Sequence, residues 1–267
     1  MSRKSTSWEK ASAWYDQIVG HEGHHYHRLL FSHLLPRILE KKEGSLLDLA
    51  CGQGVLARLL PASWHYVGLD ISPSLIQAAK QKIKNSSCHF FVRDITKPLS
   101  LPKEEKFTTC TIILALQNLK HPLLALKQAA THLLPGGSLH LVINHPCFRI
   151  PKLSHWGLDG DLQYRRMDAY MSSITIPIQL HPSQGIASPT TLSFHHSLST
   201  WSAWLEEAGF VIQRIEEWVS DKVSTGACAK RENTSRAEFP LFLAIHAIID
   251  TQIDAQKVVT GNPLSSI

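Results

Sequence analysis

Apolar residues recur along this chain in two rhythms. Over the first 45 residues they fall at helical spacing, in "WEKASAWYDQIV" and "RLLFSHLLPRILEKK", with the histidine-rich turn "HEGHHYH" between them. From Ser45 the pattern changes to short continuous apolar runs: "SLLDLA", "HYVGLD", "HFFVRD", "TCTIILAL" and "SLHLVINH". Between them lie stretches of helical spacing, "VLARLLP", "SPSLIQAAKQKIKN" and "PLLALKQAATHLL". Strands that alternate with helices predict an α/β fold, a mostly parallel sheet covered by helices on both faces. Ser72 followed by Pro73 is a helix start, and "LLPGGSL" turns a helix into a strand with Gly136 and Gly137 free to take positive φ.

The alternation stops at Pro146. From there to about Thr200 the chain is rich in Pro, Ser, His and Arg, with two candidate strands, "ITIPIQL" and "TTLSFHH". "LQYRRMDAYM" reads as a helix whose arginines face solvent, or as part of a binding surface. Regularity returns with the helix "TWSAWLEEAGF" and the strands "VIQRIEEWV" and "PLFLAIHAII". The organisation expected is a helical N-terminal lid over 1–44, a main domain over 45–250 with an insertion at about 146–200, and a flexible tail over 251–267. Long excursions from compact domains tend to carry function, so the insertion is the expected substrate-recognition element.

Composition narrows the class. Hydrophobic residues make up 43% and charged residues 18%, ordinary for a well-buried globular protein. No apolar run approaches the ~20 residues of a membrane span, and the N-terminus has no apolar signal core. The five cysteines therefore read as reduced thiols and the location as cytoplasmic. The net charge of +5 suits nucleic acid or small anionic substrates equally well, but the basic residues are scattered, which weakens the nucleic-acid reading. Oligomeric state is not legible.

The informative segment is "LLDLACGQG", residues 46–54. An apolar strand runs into Asp48, and a turn with Gly52 and Gly54 exposes backbone N–H groups at the strand's end. Asp70 ends the next strand, placed to take both hydroxyls of a ribose. Residues 50–57 do not spell the dinucleotide G-x-G-x-x-G, and no Gly-Lys-Ser/Thr follows, so a nucleoside without phosphates is the better ligand.

"LLDLACGQG", "VGLDIS", "FVRDIT", "ILALQN" and "LLPGGSLHLVI" in this order resemble the class I S-adenosylmethionine-dependent methyltransferases, nearest the small-molecule branch of ubiquinone/menaquinone methyltransferase-like proteins. The match covers roughly residues 45–145, and the last two strands also fit. The resemblance implies a Rossmann-like, seven-stranded, mostly parallel sheet with a C-terminal antiparallel hairpin. It implies that Asp48 and the backbone of Ala50, Gly52 and Gly54 hold the methionyl part of S-adenosyl-L-methionine, and that Asp70 takes the ribose. Ile71 would lie against the adenine, Asp94 on its amino group with Ile95 on the ring, and Ile113 and Leu114 near the sulfonium. Many relatives have Gly where this chain has Ala50; Cys51 is expected to pack rather than react.

His21, Glu22 and His25 spell H-E-x-x-H, the zinc-peptidase signature. Gly20 and Gly23 weaken the helix that motif requires, and no third ligand follows, so no metal is expected. In the resembling enzymes this region forms a lid, which would put Tyr15, Tyr26 and His25 above the reacting methyl. On the substrate side His145, after the fifth strand, is the candidate general base or a substrate-lining side chain. Gln117, Asn118 and Asn144 are candidates to orient a substrate. Arg149, Arg165 and Arg166 are candidates to pair with a carboxylate or phosphate. Rival readings are an RNA methyltransferase, with Cys147 after "HP" as a cytosine-type nucleophile, a protein methyltransferase, or a non-catalytic protein that only binds the cofactor.

Overall fold

A computed structural model describes residues 25–101, 105–179 and 190–250. Five strands run parallel: β1 (Ser45–Leu49), β2 (His65–Asp70), β3 (Cys88–Val92), β4 (Phe107–Ile113) and β5 (Leu133–Asn144). β10 (Phe210–Trp218) and β11 (Phe242–Ile249) complete a seven-stranded sheet in the order β10-β11-β5-β4-β1-β2-β3. β11 is antiparallel to both β5 and β10. The α/β class, the parallel core and the antiparallel C-terminal pair expected from the sequence are all present.

The central strands are apolar throughout because both of their faces are covered. On one face α3 (Pro122–His132) lays down Pro122, Ala125, Leu126 and Ala129, the i, i+3, i+4, i+7 stripe of a core-facing helix. α4 (Leu198–Glu207) adds Trp201 and Leu205. On the other face α1 (His25–Ile38) buries Leu30 and Leu34, and α2 (Pro73–Lys82) buries Leu75, Ile76 and Ala79. Ser72 caps α2 by accepting the Leu75 N–H at 3.3 Å, with Pro73 in the first turn. Within the sheet His140 and His246, cross-strand neighbours on β5 and β11, bond Nδ1 to Nδ1 at 2.7 Å. Burial, then the facing ring, lowers His140 to about 3 and keeps it neutral.

Three local expectations are corrected. "VLARLLP" forms only a short 3-10 turn, Leu56–Arg58, and Pro61 just beyond it disfavours continuing a helix. "LQYRRM" is a strand: β6 (Ser154–Asp159) and β7 (Leu162–Met167) make an antiparallel hairpin. A further helix, α5 (Ala229–Glu238), lies between β10 and β11, so those strands are not joined by a tight turn. The rest of the insertion is a second hairpin, β8 (Ile174–Gln179) with β9 (Thr190–His195), as the sequence led one to expect. At "PGG" Gly136 takes φ 69°, while Gly137 is not in the positive-φ region.

Candidate functional site

The site lies where β1, β2, β4 and β5 end. Beyond β1 the chain turns sharply: Ala50, Gly52 and Gly54 take φ of 63°, 55° and 74°. Ala50 adopts a conformation that costs an L-residue roughly 1–2 kcal/mol, where a glycine would pay little. Gly54 has no such latitude, since a Cβ there would lie 2.7 Å from Ile83 and 2.9 Å from Phe90. The Cys51 thiol sits against Gly68 of β2, 2.8 Å from where a Cβ would be. Burial raises the thiol far above its usual value, so it is an inert packing group.

Asp70 fixes the turn. Its carboxylate accepts the Gly52 N–H on one oxygen and the Ser72 N–H on the other, both at 2.9 Å. Ile71, beside it, is 55% exposed. Asp48 faces inward from β1. Tyr66 donates to its Oδ2 at 2.6 Å and Thr111 to its Oδ1 at 2.8 Å. Burial pushes this carboxyl up to about 6, against the pull of those two bonds. Asp94 follows β3 and accepts the Thr96 N–H and hydroxyl, with Lys97 at 3.3 Å. Burial raises Asp94, but these donors outweigh it and hold the carboxyl below its usual value. Ile95 is turned into the core beneath α3. After β4, Leu114 takes φ 52°, and its carbonyl accepts the Gln117 amide at 2.9 Å and the Asn118 amide at 3.2 Å.

On the substrate side a small cleft of about 20 Å³ lies between the end of β5 and the insertion, lined by Gln117, Asn144, Arg149, His195, His196 and Trp201 among others. The Gln117 Oε1 is buried with no hydrogen-bond donor. His145 follows Asn144 but its ring turns away into the protein: Nδ1 accepts the Cys147 N–H at 3.2 Å, and Nε2 stands 2.6 Å from Glu217. With Nδ1 accepting, Nε2 carries the proton and donates it to the carboxylate. Burial lowers this histidine, offset in part by Glu217.

The expected site residues thus divide. The ends of β1, β2 and β3 carry Asp48, Asp70, Ile71 and Asp94, and Gln117 and Asn144 meet at the cleft. Asn118 is spent on the loop after β4. Arg166 is exposed and pairs with Asp168 at 3.1 Å, away from the cleft, whereas Arg165 turns inward. Tyr26, in the first turn of α1, packs edge-on against Phe242 at 5.6 Å. Tyr15, His21 and Glu22 lie outside the described residues, as does the side chain of His25. Among the described residues no group of three or more His, Cys, Asp or Glu could hold a metal ion. Glu217, His195, His196 and Trp201 were not singled out by sequence; nothing in "VIQRIEEWV" or "LSFHHSLSTW" marks them, because only the fold brings them to β5.

A carboxylate over a glycine turn and an exposed isoleucine form a cradle without phosphate-binding features, and these donors and acceptors suit a nucleoside with a charged amino-acid tail. The structure is similar to an S-adenosylmethionine-dependent methyltransferase from Mesorhizobium loti (22% identity, TM-score 0.61, 77% of this chain and 91% of that one). A methyltransferase from Haloferax volcanii described as putative, in complex with the activator Trm112, aligns at 18% identity and TM-score 0.63 over 91% of this chain and 97% of that one. The glycopeptide N-methyltransferase MtfA, complexed with S-adenosylmethionine, aligns at 16% identity and TM-score 0.54 over 82% and 92%. No curated protein sequence matches. A family profile described as a methyltransferase domain matches residues 23–215, most of the chain, and its reach from α1 through the insertion into β10 bears out the enzyme class the motifs pointed to: the chain belongs to the methyltransferase-domain family.

Proposed function

We infer that this methyltransferase takes its methyl group from S-adenosylmethionine and delivers it to a small molecule. The observation that carries the reading is the turn at residues 50–54, locked to the Asp70 carboxylate with Ile71 exposed beside it. The Asp70 carboxylate, held at the strand end by the Gly52 and Ser72 N–H groups, is placed to meet the ribose hydroxyls. Ile71 offers an apolar face to adenine, Asp94 an acceptor for its amino group, and Asp48 a charge for the methionyl ammonium. The neighbour MtfA, crystallised with this cofactor, supports the same reading. When bound, the cofactor supplies an electrophilic methyl on a sulfonium.

The chain's own part is alignment, which can supply roughly 7–11 kcal/mol of a barrier. At the cleft, Gln117 offers its unpartnered carbonyl oxygen to an N–H or O–H of the acceptor. His145, with Nδ1 accepting and Nε2 donating, is a positioning residue that ties the end of β5 to β10. Proton removal therefore falls to a group other than His145, or the acceptor atom arrives unprotonated. Placement beside the ubiquinone/menaquinone methyltransferase-like proteins rests on the motifs of residues 45–145.

The test is release of S-adenosylhomocysteine when the protein and cofactor meet a panel of phenols, amines and carboxylic acids, beside transfer RNA and bulk protein. Turnover with a small molecule supports the reading. Methyl transfer to RNA or protein alone overturns it.

A further inference from the structure

Among the described residues, two arginines in the insertion have no acid partner. Arg149, five residues beyond Asn144 at the end of β5, donates from Nε to the Pro240 carbonyl at 3.1 Å and from Nη2 to the Phe239 carbonyl at 3.2 Å. Arg165, on β7, donates from Nε to the Phe148 carbonyl at 2.9 Å and from Nη2 to the Ser154 hydroxyl at 2.7 Å. Both guanidiniums stand over the Trp156 ring, at 5.6 and 5.1 Å from its centroid, and Trp156 is the cross-strand partner of Arg165. Each is half-buried, and among the described residues neither forms a salt bridge. Two carboxylates of the region are engaged elsewhere, Glu217 by His145 and Asp168 by Arg166.

Carbonyls and hydroxyls orient a guanidinium without neutralising it. Burial and then Arg165 lower Arg149 to about 10, so it still carries its charge at neutral pH. Two like charges held close and partly desolvated cost stability unless an opposite charge arrives. Their bonds use Nε and Nη2, which leaves each side chain further N–H groups for a ligand. Arg149 also lines the cleft, whose wall includes the rings of Phe194, His195, His196 and Trp201 and the amides of Gln117 and Asn144.

We propose that Arg149 and Arg165 form an oxyanion subsite, and that the methyl acceptor is a small aromatic molecule bearing a carboxylate or a phosphate. The subsite rests on the methyltransferase reading above. It sets the acceptor's orientation: anion on the arginine pair, ring against the rings of the cleft wall, acceptor atom toward Gln117. A bidentate guanidinium recognises the shared geometry of either anion.

The experiment is calorimetric titration of the full chain, loaded with S-adenosylhomocysteine, with benzoate, phenyl phosphate and neutral benzamide. At least one of the two anions should bind at a single site, at least tenfold more tightly than benzamide and more weakly as salt rises. The tighter of the two identifies which anion the acceptor carries. Arg149→Met and Arg165→Met should each weaken that binding at least tenfold and change S-adenosylhomocysteine affinity less than twofold. If the Met variants lose their cooperative unfolding transition, Arg149→Gln, which can still donate to the Phe239 carbonyl, takes their place. Benzamide matching the anions, neither anion binding, or uncharged variants that hold them as the wild type does would each overturn the subsite. Failure of S-adenosylhomocysteine to bind during loading would instead strike the cofactor reading.

Discussion

Acidification from pH 8 to pH 5 should weaken cofactor binding through Asp48. Its carboxyl is lifted to about 6 by burial, against donors from Tyr66 and Thr111. If the ionised form is what meets the methionyl ammonium, affinity follows the ionised fraction. At pH 5 roughly one molecule in eleven carries the charge, so S-adenosylhomocysteine should bind about tenfold more weakly, a loss of about 1.4 kcal/mol. Tyr66→Phe removes a donor that favours the ionised form and should move the midpoint to higher pH, while Asp48→Asn should flatten the profile. Stability of the ligand-free protein should run the other way. The folded state holds this proton more tightly than the unfolded chain, whose carboxyl titrates near 3.8. The Asp48 contribution therefore grows as pH falls through about 6 and levels off below 3.8, a span of about 3 kcal/mol. Calorimetry at pH 5, 6, 7 and 8 reads the affinity, and urea unfolding reads the stability. Affinity that stays flat to pH 5, or a pH profile unchanged in Asp48→Asn, would refute the role given to this carboxylate.

Asp70→Ala removes two charge-assisted bonds to the turn, each worth roughly 1.5–3 kcal/mol, and should weaken S-adenosylhomocysteine at least a hundredfold by calorimetry. Gly54→Ala meets both a strained φ and the Ile83–Phe90 contact; it should cost about 2–4 kcal/mol in urea unfolding, and a cost under 0.5 kcal/mol would contradict the geometry. His145→Gln should lower stability by about 1–3 kcal/mol while leaving the shape of the pH–rate profile intact; loss of the acidic limb would restore this histidine as the general base.

How much of this was readable in advance follows burial. Strands such as "SLLDL" and "HYVGLD" sit between two helical layers, so nearly every position is apolar and the run announces itself. Ser72-Pro73 announces α2 for an equally local reason, a cap and a pre-set φ. The hairpin "SHWGLD"/"LQYRRM" has neither signal: no residue in either strand is fully buried, so no alternation was selected. "AKRENTSRAE" buries only Ser235 and offers no apolar stripe to read as a helix. At the site, Asp48, Asp70 and Asp94 end strands that sequence can find. The partners that decide chemistry are distant in the chain: Glu217 reaches His145 across 72 positions, and Arg149 leans on carbonyls about 90 residues away. Such pairings are fixed by the antiparallel return of β11 beside β5, which no local pattern encodes.

The central claim is that the turn at residues 50–54 holds a nucleoside cofactor. Thermal unfolding of metal-free protein with S-adenosylhomocysteine, with zinc, and with neither tests it most directly. At about 100 times the dissociation constant the ligand should add roughly 2.7 kcal/mol, which in a chain of this size raises the transition by about 5–10 °C. The account predicts that rise with the nucleoside and none with zinc. A rise with zinc alone would contradict it and return His21, Glu22 and His25 to the centre of the chemistry.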